Sequence, residues 1–163
     1  MPIALYRIDD RLIHGQVVVG WGQPLDLGFI VLVDDVVAES EWEQELYRLG
    51  VPPSMEVYFA SAADAAREID RYTSDRRTGM VLTGTISTML TLARSATRPI
   101  PAVNLGGIHH REDRAQKLRY LFLNKSEEGE LRELANLGVV ITAQDVPSAT
   151  AHPLTDLLPE HSS

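Results

Sequence analysis

Eleven residues, RIDDRLIHGQV from Arg7 to Val17, bring together one histidine, two arginines and two carboxylates. A neutral imidazole is a nucleophile, and the guanidinium three residues before His14 is a planar fork that fits an anion. The pair suits a phosphoryl group received on His14, with Arg11 as a fixed cation for the charge that spreads over the transferring oxygens. Arg7, placed at the rim, would add a second cation. Asp9 or Asp10 would orient the ring or Arg11, and the amides of Gly15 and Gln16 would face the anion where a helix begins. The plainer reading is a histidine near a helix start, with Arg11 paired to Asp9 or Asp10 on the surface, a contact worth little.

These residues need a strand to deliver them and a turn to present them. IALYRI is an apolar run that stops at the acids, as a buried strand does, and GQVVVGW opens a helix that three valines and Gly20 keep short. GFIVLVDD is a continuous apolar run with acids at its end, a strand covered on both faces. The next segment puts Trp42, Leu46 and Leu49 on one helical face, an ordinary core face, and Gly50 with Pro52-Pro53 ends it. MEVYFA is a third strand. Ser61, with Asp64 three residues on, caps a helix that turns Ala62, Ala65, Ala66 and Ile69 to a sheet. DRYTSDRRTG reads as a surface connection and GMVLTG as a fourth strand. Ile86, Met89, Leu90 and Ala93 repeat at helical spacing, and PIPAVNLGG is a fifth strand whose two glycines permit a close approach or a sharp turn.

HHREDR followed by KLRYLFLN reads as an excursion or hairpin. Ser126 is expected to cap a helix bearing Leu131, Leu134 and Leu137 and closed by a left-handed Gly138. VVITAQDV is the last strand, and Leu154, Leu157 and Leu158 make a short docked helix before a frayed PEHSS. The expectation is one α/β domain over residues 1–163: a doubly wound, mainly parallel sheet of about six or seven strands with helices on both faces. Loops starting at Asp9, Asp34, Ser61, Thr83 and Asn104 would then ring one edge, where such sheets bind ligands.

Composition narrows the function. A chain of 163 residues is long enough for one domain burying about 70% of its unfolded surface. The absence of cysteine excludes disulfides and thiolate metal sites and is compatible with a reducing cytoplasm. No window approaches the roughly 18 to 20 apolar residues of a membrane span, and MPIALYR has no basic region leading a long apolar stretch. A cytoplasmic protein that does not itself span the membrane is expected. The net charge of −8 and pI near 5.0 disfavour a nucleic-acid partner. His109 and His110, with Glu112 and Asp113, invite a metal, but adjacent histidines in extended backbone point apart and their spacing fits no ligand pattern, so a solvated loop is expected and no metal or cofactor. Trp21 reads either as packing for the first helix or as part of a partner surface.

RIDDRLIHGQV resembles the signature of the IIB subunit in the mannose/fructose/sorbose-type sugar phosphotransferase system. FIVLVDDVVA, the proline pair before the next strand, VNLGG and VVITAQDVP recur at similar places in such subunits, so the resemblance spans essentially the whole chain. It implies that His14 accepts a phosphoryl group from the phosphorylated IIA phosphocarrier and passes it to sugar bound by the IIC/IID membrane permease. The activity implied is that of a protein-Nπ-phosphohistidine–sugar phosphotransferase subunit, with sugar choice set by the membrane subunits; a homo-oligomer is compatible with it. The chain departs from the pattern at Gly20, where members commonly carry arginine before the tryptophan, in TGTIST, where many have asparagine after the first threonine, and in the strongly charged HHREDR.

Other classes fit less well. A regulatory phosphocarrier without a transport role would keep the same chemistry. A receiver-like signalling domain shares the paired acids after the first strand and Thr83 near the fourth. It needs an aspartate after the third strand and a lysine after the fifth, where this chain has MEVYFAS and AVNLGG. LGGIHH lacks both the glycine spacing and the lysine of a phosphate-binding loop.

Overall fold

The computed structural model describes residues 3–159. In chain order the elements are β1 (Ile3–Ile8), a π-helical segment (Gln16–Trp21), β2 (Phe29–Val33), a 3-10 turn (Val37–Glu39), α1 (Glu41–Leu49), β3 (Glu56–Ala60), α2 (Ala62–Thr73), β4 (Gly79–Thr83) and α3 (Ile86–Ser95). β5 (Ala102–Leu105), β6 (Ala115–Leu118), β7 (Leu121–Leu123), α4 (Lys125–Asn136), β8 (Val140–Ala143), β9 (His152–Pro153) and α5 (Leu154–Leu157) follow. Seven strands form one sheet in the order β3-β2-β4-β1-β5-β8-β9. All neighbours are parallel except β8 and β9. β6 and β7 make a separate antiparallel hairpin.

The strand order explains why the helices divide between two faces. From β1 to β3 the chain steps outward through β2, and from β3 it returns to β4, passes β1 and continues to β5 and β8. Parallel crossovers are right-handed, so reversing the direction of travel moves the connections to the opposite face. Phe29, Val31 and Val33 of β2 accordingly meet α2, α3 and α4 in one core. Ile30 and Leu32 meet the π-helical segment in the other. β2 and β4 are buried along their whole length, as strands covered on both sides must be. The doubly wound sheet read from the sequence is therefore present, with β1 at the point where connections on the two faces part.

Several local readings change. The segment after His14 is π-helical: the Gly22 amide donates to the Val17 carbonyl at 2.9 Å, a five-residue step. Such widened turns cluster at functional sites. The face of α1 taken as core is exposed at Trp42, Leu46 and Leu49; Tyr47, one step round the helix, packs toward the sheet instead. α2 runs through Thr73 and buries Tyr72, so only the end of DRYTSDRRTG is a connection. The cap of α4 is Asn124, whose side chain accepts from the Glu127 amide while Glu127 reaches back to the Asn124 amide, a complete capping box. Leu131 and Leu134 are buried as expected, whereas Leu137 is exposed at the helix end. Gly138 adopts the left-handed φ of 94°. β9 pairs by only two residues, Thr142 with Pro153 and Ala143 with His152. The frayed end expected for PEHSS lies, beyond Pro159, outside the described residues.

The capping box yields a test. Asn124→Ala removes one half and frees the other, and should lower unfolding stability by about 0.5–2 kcal/mol in denaturant titration. Ser126→Ala, one turn position inside the helix, should stay within about 0.5 kcal/mol of the parent.

Candidate functional site

β1 ends by sending two side chains inward. Along the strand Tyr6 and Ile8 join one core and Leu5 packs against the other. By that alternation Arg7 faces the side covered by Trp21. Its guanidinium lies 4.9 Å from the Trp21 ring centroid and is fully buried. It donates to Asn104 Oδ1, to the carbonyls of Gln144 and Asp145 at 2.9 and 3.0 Å and to Asp9 Oδ2 at 3.3 Å. Burial pulls Arg7 below its ordinary pKa, an effect that Asp9 opposes. The rim position expected for Arg7 is thus corrected: strand alternation draws it into the interior, where it ties β1 to the ends of β5 and β8.

Asp9 is also fully buried and sits between the two arginines. Its Oδ1 accepts from the Arg11 amide at 3.1 Å and from Arg11 Nε at 3.0 Å. Its Oδ2 accepts from Arg11 Nη2 at 3.0 Å. Burial alone would raise the Asp9 pKa, but the Arg11 hydrogen bonds and the charges of Arg7 and Arg11 outweigh it and hold it below the carboxylate range. Arg11 is raised in turn by the same hydrogen bonds. Its side chain stays 44% exposed, so one side of the guanidinium is clamped and the other faces outward.

The two glycines after β5 make this stack possible. A Cβ on Gly106 would lie 2.4 Å from Arg7 Nη2 and 2.6 Å from Asp9 Oδ2, and one on Gly107 would press at 3.4 Å on Arg11 Nε. NLGG is a close-approach site, and the group approached is the side-chain network of β1.

His14 is placed by a strained turn. Leu12 has a φ of 59°, a left-handed conformation costing on the order of 1–3 kcal/mol for a branched residue. Its amide donates to the Asp9 carbonyl at 3.0 Å, and its own carbonyl meets His14 Nδ1 at 2.8 Å. A carbonyl only accepts, so the proton of the neutral ring is on Nδ1 and the lone pair on Nε2. Nε2 is buried without a partner among the described residues, 4.0 Å from Asp9 Oδ2. The His14 side chain is 19% exposed. Gly15 beside it is exposed, with open space where a Cβ would stand.

Asp10 turns the other way. It accepts from the His109 amide at 2.9 Å and contacts the His109 ring, while its own amide donates to the Gly107 carbonyl at 2.8 Å. The HHREDR excursion therefore closes back on the His14 turn. Gln16 lines a cleft there with Asp10, Arg11, His109, Tyr120 and Phe122. Asn104 starts one of the loops expected at this edge, but its bond to Arg7, the Trp21 ring beside that guanidinium and the carbonyls of Gln144 and Asp145 that it meets were not expected. Asn104 lies in VNLGG and Gln144 and Asp145 in VVITAQDVP, segments that resemble the family, but that these meet Arg7 follows only once the strand order is known.

Comparison with known proteins places this arrangement in context. The model of the sorbose subfamily IIB component of the phosphotransferase system matches residues 3–163. The sorbose-specific EIIB component of Klebsiella pneumoniae is 31% identical over 160 residues, covering 98% of this chain and 97% of that one. The N-acetylgalactosamine-specific phosphotransferase enzyme IIB component 2 of Escherichia coli is 30% identical over 159 residues, covering 97% and 100%. The crystal structure of the IIB domain of the Klebsiella pneumoniae sorbose permease superposes with a TM-score of 0.85 at 30% identity over 96% of each chain.

Removing Asp9 tests the buried network. Asp9→Asn leaves Arg7 buried without its countercharge and should cost about 3–5 kcal/mol of stability at neutral pH. Because the folded-state pKa lies below the ordinary value, the carboxylate's contribution is complete above about pH 4 and is lost as pH falls toward the depressed value. The difference between wild type and Asp9→Asn in unfolding free energy should therefore shrink below about pH 4; a difference that grows there would contradict the clamp.

Proposed function

Given that this chain belongs to the sorbose subfamily of IIB components, phosphocarrier subunits of sugar phosphotransferase systems, we propose that His14 is the residue that carries the phosphoryl group. The observation behind this reading is that a strained turn sets His14 Nε2 4.0 Å from the buried carboxylate that locks the Arg11 guanidinium. The donor is phosphorylated IIA and the acceptor is a sugar hydroxyl at the IIC/IID permease.

In the first step the lone pair of the neutral His14 ring attacks phosphorus in line as the donor imidazole departs with its bonding pair. The ring must first turn off the Leu12 carbonyl, since at rest one nitrogen is hydrogen-bonded and the other buried. Arg11 meets the equatorial oxygens with the face not held by Asp9, and the Gly15 and Gln16 amides at the helix start add their N–H groups to the same anion. With its position fixed in advance, Arg11 stabilises developing charge without reorganising. Arg7 and Asp9 act behind it as positioning residues. In the second step the geometry reverses toward the sugar. Relatives named for sorbose and for N-acetylgalactosamine resemble this chain almost equally, at 31% and 30% identity, which supports placing sugar choice in the permease. Among the described residues no helix is long and apolar enough to cross a membrane, so the membrane step falls to those partners.

Incubation with phosphorylated IIA from the same organism should add one acid-labile phosphoryl group to the wild type and none to His14→Ala; stoichiometric labelling of His14→Ala would overturn the assignment. Arg11→Ala should raise the transfer barrier by about 2–4 kcal/mol in rapid-quench measurements, with Arg11→Lys intermediate because it keeps charge and loses the fork. Equal transfer rates for wild type and Arg11→Ala would remove Arg11 from the mechanism. Calorimetry with free hexoses should show no binding by the isolated subunit.

A further inference from the structure

Helix α1 carries an apolar stripe that the fold leaves uncovered. Trp42, Leu46 and Leu49 stand at i, i+4 and i+7 and are 67%, 55% and 83% exposed. The rotation of the helix is fixed from its other side. Tyr47 packs against Phe59, with ring centroids 6.5 Å apart, and the Gln44 side-chain amide donates to the carbonyls of Val37 and Ala38 at 2.9 and 3.2 Å. At 100° per residue these anchors lie nearly opposite the stripe, which therefore points away from the sheet. A contiguous stripe of this kind, bordered by charges, marks a surface that meets a partner.

The border says which partner. Glu41 and Glu45 flank the stripe on one side and Glu43 on the other, while Arg48, the one cation of the helix, lies over the Phe59 ring at 5.0 Å. A second copy of the chain would set acid against acid, and the anionic cytoplasmic leaflet of a membrane would repel the same acids. The complementary surface is an apolar patch edged by lysine and arginine, and the cytoplasmic loops of membrane-spanning proteins are enriched in both. The three side chains offer on the order of 400 Å², short of the roughly 800 Å² per partner that a stable complex buries. That area fits a brief encounter repeated at each transfer.

Position agrees with charge. α1 begins just after β2 ends, so Trp42 is at the helix end nearest the sheet edge that carries His14, and β2 is two strand spacings, about 10 Å, from β1. We propose that the Trp42–Leu46–Leu49 face docks on the cytoplasmic surface of the IIC/IID permease, bringing His14 to the bound sugar, while IIA uses the rim around His14 alone. This rests on the transport role proposed above.

The test uses inside-out membrane vesicles with and without the organism's IIC/IID pair, mixed with wild type, His14→Ala, Glu45→Lys and the double variant Trp42→Ser/Leu46→Ser. Wild type and His14→Ala should cosediment only with permease-bearing vesicles. The double variant should keep the wild-type melting temperature and rate of labelling by phosphorylated IIA, yet lose at least tenfold in vesicle binding and in sugar phosphorylation at limiting subunit. Glu45→Lys should weaken binding and flatten its salt dependence. Undiminished binding by the double variant and by Glu45→Lys would overturn the assignment of α1 and leave the transport role standing. Failure of wild type both to bind permease vesicles and to support sugar phosphorylation by them would overturn both. Slower labelling of the double variant by IIA, a wild-type dimer that the double variant loses, or equal binding to permease-free vesicles would overturn the proposal in favour of IIA, a second copy or lipid respectively.

Discussion

The buried carboxylate of Asp9, held between Arg7 and Arg11, is the interaction on which the site depends. Burying the charges of Arg7 and Asp9 is costly, and the cost is met only where such groups find hydrogen bonds of good geometry. Arg7 spends its donors on Asn104 and on the chain just beyond β8, Arg11 spends its fork on Asp9, and Gly106 gives up a side chain so that the stack can close. Three strand ends are thereby fixed relative to one another. The same arrangement explains why the network sits at β1: the connections on the two faces part there, leaving a crevice that the arginines fill.

Above this fixed base the site loosens by steps. Arg7 has no exposed surface, Arg11 is half exposed, and His14 hangs on a strained Leu12 turn followed by a widened π-helical segment. The gradient suits a phosphocarrier. In the roles proposed for them, Arg11 has to be in place before reaction to meet the transferring oxygens, whereas His14 has to swing between two partners that approach in turn. A ring released from one carbonyl has a short distance to travel, and the strain at Leu12 is borne by the turn that carries it.

Much of this was legible in the residues. The strands of the large sheet up to β8 follow from apolar runs, because strands covered on both faces leave no room for polar ones, and Ser61 and Gly138 announce their caps through local chemistry. The eleven-residue turn around His14 carried the family likeness. What escaped depends on contacts between distant segments. Arg7 reads as a rim cation until β8 is known to lie one strand beyond β5, where the carbonyls after its end come within reach of the Arg7 guanidinium. Trp42, Leu46 and Leu49 have the spacing of a core face, but the orientation of α1 is set by Tyr47 and Gln44 against their neighbours. Ser126 and Asn124 are both sound caps in isolation, and Glu127 decides between them by completing the box with Asn124. β9, two residues long with a proline, has no pattern to read.

Heteronuclear NMR of the histidine-labelled protein, before and after reaction with phosphorylated IIA, addresses the central claim most directly. The account predicts a resting His14 ring with its proton on Nδ1, hydrogen-bonded to Leu12, and after reaction a phosphoramidate signal coupled to a nitrogen of His14 alone, with the other histidines unchanged. A resting ring protonated on Nε2, or a phosphoramidate on any other histidine, would contradict it.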